Sequence, residues 1–194
     1  MRKFYVLLFV FYIFISAACR PAAAPVSVTN EPVSINEIRR TNVALPPRKP
    51  LPEMNWTVFD GKTNADGETK TLADLRGKVV VLDFWATYCP PCLEAIPHLN
   101  ELYAKHKSEG LEIIGMHSDS DDRLKVPDFA ERLKIGYPLA TPEDALTSFV
   151  FATDTSIPQM LILDREGNLV TRFTGYDLKI KNDMDKAIEA ALAK

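Results

Sequence analysis

The sequence predicts an α/β sandwich, a mixed sheet with helices on both faces, set behind an N-terminal segment of different character. Three observations predict it. Residues Val79 to Trp85 form an apolar run of strand length without alternation, the pattern of a strand buried on both faces. A proline-opened helix and a second apolar strand, Leu111 to Met116, follow it, and the order strand, helix, strand makes a parallel βαβ unit. Met160 to Leu163 and Leu169 to Phe173 are joined by Asp164-Arg165-Glu166-Gly167-Asn168 and read as a hairpin, so antiparallel strands share the sheet.

The remaining elements follow in order. Trp56 to Phe59 alternates like a short strand, and Asp60-Gly61 and Asp66-Gly67 supply turns. Thr71 to Leu75 reads as one helical turn ended by Gly77. Pro90 and Pro91 open a helix that runs to about Ser108, because N–H groups of a first turn have no intrahelical partner to lose. Leu93, Ile96, Leu99, Leu102 and Tyr103 form its apolar stripe, and Gly110 ends it. Ser118 to Arg123 is acidic and loop-like. Helices are expected over Asp128 to Leu133 and Asp144 to Phe151, and an amphipathic helix over Asp177 to Ala193 closes the chain.

The start of the chain reads as an address. Arg2 and Lys3 precede twelve apolar residues, Phe4 to Ile15, and then Ser16-Ala17-Ala18-Cys19. A positive end, a short apolar stretch and small residues describe a secretory signal, and the run is short for a membrane span, which needs about 20 residues. We assign residues 1–18 to the signal. Residues 19–53 carry seven of the fourteen prolines and no apolar period, so they read as a tether. Residues 54–194 form the folded domain. Removal of the signal leaves 21 basic against 26 acidic residues, a net charge of −5. With no basic block, nucleic acid is not expected as a partner.

The chemistry points to Cys89-Pro90-Pro91-Cys92, which directly follows the buried strand and opens the helix. Residues three apart on a helix share a face, so the two sulfurs can bond. The helix N-terminus carries partial positive charge and stabilises a thiolate. Cys89, at that end, is therefore expected to be the exposed nucleophile, and Cys92, one turn in, the shielded resolving thiol. Exchange then runs by thiolate attack, a mixed disulfide, and release by the second thiol. A purely structural disulfide over so short a loop would stabilise little. Zinc takes four ligands, and the chain has no second cysteine pair. His98, His106 and His117 do not cluster by spacing and are expected on the surface or in loops. No metal or cofactor is expected beyond the redox-active pair itself.

Two segments carry a resemblance. Phe84-Trp85-Ala86-Thr87-Tyr88-Cys89-Pro90-Pro91-Cys92, preceded by Gly77-Lys78-Val79-Val80-Val81-Leu82, resembles the membrane-tethered thioredoxin-like proteins of the TlpA/ResA type. Ser156-Ile157-Pro158, followed by Met160 to Gly167, resembles the second signature of that family. The resemblance covers about Trp56 to Leu192. It implies a thioredoxin fold with an insert around Ser118 to Thr141, and a thiol–disulfide oxidoreductase working outside the cytoplasm, in the periplasm. It further implies a disulfide-bearing protein substrate, a membrane thiol protein as electron donor, and reduction in the service of cytochrome c maturation or of metal-site thiols. It implies a cis bond before Pro158, next to the cysteines, and substrate contact through Trp85, Pro90, Ile157 and Pro158. Ser16-Ala17-Ala18-Cys19 resembles a bacterial lipobox, which implies lipid on Cys19; simple cleavage after Ala18 and an uncleaved anchor are the alternatives.

Asp83 lies in the apolar run six residues before Cys89. Alternation puts it on one strand face with Val81 and Trp85, below the cysteine helix. Burial there would raise its pKa and let it take the proton of Cys92. The chain has Ala95 where the resembled family often has an acid, and Asp83 where that family often has Asn. An oxidase or isomerase of the same fold, and a thiolate metal chaperone, are the competing functions.

Overall fold

The seven strands form a single sheet in the order β2-β1-β5-β4-β3-β6-β7. In chain order they are β1 (Asn55–Val58), β2 (Thr69–Thr71), β3 (Val79–Trp85), β4 (Leu111–His117), β5 (Leu139–Pro142), β6 (Gln159–Leu163) and β7 (Leu169–Thr174). Among the described residues four α-helices accompany them: α1 (Pro90–His106), α2 (Val126–Leu133), α3 (Asp144–Val150) and α4 (Leu178–Leu192). The computed structural model describes residues 49–59, 67–119 and 123–194. The signal, Cys19 and most of the tether lie outside them. Among the described residues no helix is long and apolar enough to cross a membrane.

All seven residues of β3 are buried, Asp83 included, as its strongly apolar character predicts. It sits near the middle of the sheet, parallel to β4 and antiparallel to β6. Its odd-numbered residues Val79, Val81 and Trp85 point into one core, shared with α1 and α4 through Leu99, Leu102, Met184 and Ile188. Its even-numbered residues Val80, Leu82 and Phe84 point into a second core, closed by Trp56, Leu72, Leu146 and Val150. The alternation of a strand thus divides one apolar run between two layers.

Two strands escape the sequence. Thr69–Thr71 is three residues long, and Leu139–Pro142 contains a proline, so neither carries a strand signal. β5 pairs with β4 on one side and β1 on the other, so the segment expected as an insert feeds a strand inside the sheet. The domain also starts earlier than composition suggests. Lys49 pairs with Glu143 at 2.7 Å, and Leu51, in a single 3-10 turn, packs on the second core. The same Glu143 accepts the Asn55 N–H at 2.7 Å.

The end of the sheet away from the cysteines is closed by Arg165. Its guanidinium donates to the carbonyls of Gly77 (2.9 Å), Glu109 (3.2 Å) and Leu192 (3.0 Å). One side chain thereby joins the start of β3, the turn after α1 and the end of α4. Gly110, at φ +96°, makes the turn after α1; a β-carbon there would sit 2.8 Å from the Arg165 guanidinium.

The histidines correct the expectation. His98, His106 and His117 are all buried, at 5%, 5% and 2% exposure. His98 and His106 lie on the inner side of α1, whose buried residues are Cys92, Ala95, Ile96, His98, Leu99, Leu102 and His106. His106 continues the spacing 92, 95, 99, 102 by one more turn. Each of the two reaches a carboxylate at the surface: His98 Nε2 meets Asp185 at 2.7 Å, and His106 Nδ1 meets Glu109 at 2.9 Å. A histidine with an acid within reach can be buried where a bare polar group would not.

Candidate active site

Strand β3 ends at Trp85 and α1 begins at Pro90 after four intervening residues, so the cysteines stand beyond the C-terminal end of a central strand, at the margin of the first core. Cys89 is the N-cap of α1 in extended backbone, and Pro90 and Pro91 occupy the first positions, where no N–H is needed. Cys89 and Cys92 are joined as a disulfide, with their Cα atoms 5.3 Å apart. The Cys89 sulfur also accepts the Cys92 N–H at 3.3 Å, the role that an oxygen plays in an ordinary helix cap. No acidic residue sits in the first turn of this 17-residue helix, so nothing there opposes a negative charge on sulfur.

Exposure corrects one detail. Cys89 is 5% exposed and Cys92 1%, so the residue expected as the exposed nucleophile is buried in this oxidised state. Cys89 is thus the more exposed of the two sulfurs. Cys89 is flanked by exposed neighbours, Tyr88 at 65% and Pro90. Tyr88 was not among the expected substrate contacts. Trp85 was, yet it is 1% exposed, with its indole against the edge of His117 (5.3 Å between rings) and near Phe129. As folded, Trp85 forms the floor of the site and does not reach its surface. The physical reason is parity: Trp85 shares the inward face of β3 with Val81, whereas Tyr88 lies past the strand, in the turn.

The Ile157–Pro158 peptide is cis, as the resemblance implies. Ile157 is half-buried and packs on the core that contains both cysteines, while Pro158 is buried and its carbonyl accepts the Gly175 N–H at 2.8 Å.

Asp83 is 1% exposed, on the face predicted for it. Its register partners are Met160 on β6 and Gly115 on β4. Gly115 leaves the space beside the carboxyl to its neighbours: a β-carbon there would meet Leu139 Cδ2 at 2.5 Å, and Trp85 Nε1 and Tyr137 Cε2 at 3.1 Å. Among the described residues Asp83 Oδ1 has no hydrogen-bond partner. Loss of water around the charged form pushes the Asp83 pKa up to about 7. Burial, and after it the charge of Asp83, push Tyr137 well above the usual phenol value.

A family model, Redoxin, matches residues 47–190. The chain belongs to the Redoxin family. The matched span holds both cysteines, Asp83 and Pro158, and leaves out the signal and Cys19. Among curated relatives, Thiol-disulfide oxidoreductase ResA of Bacillus cereus (strain ZK) is 32% identical over 117 residues, 60% of this chain and 66% of that protein. ResA of Geobacillus kaustophilus is 30% identical over 128 residues, 66% of this chain and 71% of that protein. The match therefore spans slightly less than two thirds of the first relative. Among solved structures, a thiol:disulfide interchange protein of the thioredoxin family from Chlorobium tepidum TLS has a TM-score of 0.58 at 27% identity, covering 74% of this chain and 97% of that one. A thiol:disulfide interchange protein from Bacteroides sp. has a TM-score of 0.55 at 23% identity, covering 71% and 88%, a likeness of fold. The thioredoxin fold and the resemblance to ResA-type proteins are both borne out.

Proposed function

We propose that this Redoxin protein is a thiol–disulfide oxidoreductase that reduces protein disulfides outside the cytoplasm, tethered to the membrane by its N-terminal segment. The observation that carries the reading is the Cys89–Cys92 pair at the start of α1, with the Cys89 sulfur seated as the helix cap. The names of the curated relatives support the same class of reaction.

In the reduced protein the Cys89 thiolate attacks one sulfur of a substrate disulfide. A mixed disulfide forms and the first substrate thiolate leaves. Cys92 then passes its proton to the Asp83 carboxylate and attacks the Cys89 sulfur. The Cys89–Cys92 bond forms, the second substrate thiolate leaves, and two electrons have moved to the substrate. An acid titrating near neutrality is matched to that proton transfer. Tyr88, Pro90, Ile157 and Pro158 form the substrate surface of this reading, with the buried Trp85 beneath it. The substrates are disulfide-bearing proteins, apocytochromes in cytochrome c maturation among them. A membrane thiol protein returns the electrons.

Equilibration of the Cys89–Cys92 pair with a glutathione or dithiol buffer tests the direction of electron flow. A reductase lies close to thioredoxin, about −270 mV; a value near about −120 mV would assign the protein to the oxidants instead. For the tether, we expect mass spectrometry of the membrane-extracted protein to find lipid on Cys19 as the new N-terminus. An unmodified Cys19, or a chain that still begins at Met1, would end that part of the reading.

A further inference from the structure

We infer that Gln159 is a positioning residue for the substrate: its side-chain amide holds the loop of residues 154–157 so that the Ile157 backbone is presented at the cysteine core. The inference rests on the exchange reaction proposed above and adds a residue that neither the cysteine motif nor the buried acid includes.

Gln159 is the first residue of β6, fully buried, and paired with Phe84 on β3 and Thr174 on β7. Its parity is that of Leu161 and Leu163, so its side chain lies on the sheet face opposite the cysteines. There the amide nitrogen donates to two main-chain carbonyls of the loop before β6, Asp154 at 2.7 Å and Ser156 at 3.0 Å. Both neighbours are acceptors, which settles the orientation of the amide: only its NH2 end can face them. The carboxylate of Asp154 in turn accepts the Ser156 N–H at 2.9 Å.

The loop has little else to hold it. Ala152, Thr153, Thr155 and Ser156 are exposed, and between Phe151 and Ile157 no side chain enters a core. Segments with so few buried contacts open at low cost. The second carbonyl that Gln159 holds belongs to the Ser156–Ile157 peptide, which is trans, since the following bond alone is cis among the described residues. In a trans peptide C=O and N–H point opposite ways. Drawing the Ser156 carbonyl onto Gln159 therefore turns the Ile157 N–H away from the Gln159 face. Ile157 itself packs on the core that contains Cys89 and Cys92, so its N–H is turned toward the sheet face that carries the cysteines. Packing alone does not explain a glutamine here. Its Oε1 has no partner among the described residues, an orphan that a Met or Leu beside Phe84 and Leu161 would avoid.

The test is Gln159→Met in the full chain, a change that fills the same space and removes both donors. Amide hydrogen exchange over residues 152–157 should speed up by about tenfold, the loss of roughly one net hydrogen bond or a little more, with the rest of the domain unchanged. The KM for an extended peptide carrying a disulfide should rise by about tenfold with kcat within about twofold. Reduction of the Cys89–Cys92 bond by dithiothreitol, which needs no strand beside it, should stay within about twofold. Unchanged loop exchange, or an unchanged KM, would overturn the inference. A parallel fall in thermal stability and in the dithiothreitol rate would overturn it as well, since Gln159 would then serve the fold only. If the wild type reacts with dithiothreitol but reduces no peptide, the proposed function fails, and the exchange measurement still decides whether Gln159 holds the loop.

Discussion

We expect Cys89→Ser to abolish disulfide exchange, by at least about a thousandfold, and Cys92→Ser to leave the first step intact and trap the substrate. The asymmetry follows from the ends of α1. The Cys89 sulfur already accepts the Cys92 N–H at 3.3 Å, and the same donor, with the partial positive charge of the helix end, stabilises a thiolate at position 89 once the bond is reduced. A serine hydroxyl at that place stays protonated near neutral pH and cannot form a bond to the substrate sulfur. Cys92 is the more deeply buried of the two and lies one turn further in, so it acts within the mixed disulfide. Without it the substrate stays bound to Cys89, visible as an adduct in mass spectrometry without reductant. If alkylation of the reduced protein labels Cys92 faster than Cys89, the two roles are reversed.

Asp83→Asn has the second large effect, and it acts on stability and on rate in opposite directions. The Asp83 pKa is about 7 in the folded chain and close to 3.8 in the unfolded one. Between these values the folded state holds a proton that the unfolded state has released. Stability is therefore greatest below about pH 4 as far as this group is concerned, and falls as pH rises to about 7. The full excursion is roughly 4 kcal/mol, taking 1.36 kcal/mol per unit. Asn carries no charge to bury, so the variant loses that slope and is the more stable protein at pH 8. Urea unfolding of both oxidised proteins at pH 5 and pH 8 checks it: parallel profiles would mean that Asp83 does not titrate as a buried acid. The same change should slow release from the mixed disulfide by about a hundredfold, because Cys92 loses its proton acceptor. In the wild type, release should also slow as pH falls through about 7, where Asp83 becomes protonated. Stopped-flow turnover across pH reads this directly, and rates equal to the wild type at every pH would remove Asp83 from the reaction.

The sequence alone determined the candidate reactive pair and the frame around it. Cys89 and Cys92 are separated by two prolines between an apolar strand and a periodic helix, and each of those signals is local: a seven-residue run with six apolar residues, a helix-opening proline, a stripe at helical spacing. Asp83 was legible as well, because strand parity assigns its face before any fold is known. What only the tertiary structure decided depends on partners distant in sequence. β5 becomes a strand because β1 and β4 offer it edges, although its own residues carry little strand character. His98 and His106 are buried because Asp185 and Glu109 reach them, and the first of those acids lies 87 residues away. Trp85, expected to touch substrate, is buried, and Tyr88 is exposed, because Trp85 lies on the inward face of β3 and Tyr88 in the turn after it. Gln159 looked like the ordinary start of a strand. Its two hydrogen bonds exist only because β6 pairs with β3, which sets the side chain beneath the loop it holds. Local patterns specify which segments fold and where a reactive pair sits. Burial, ion pairing and loop support are properties of surfaces brought together by the sheet, and a linear pattern does not contain them.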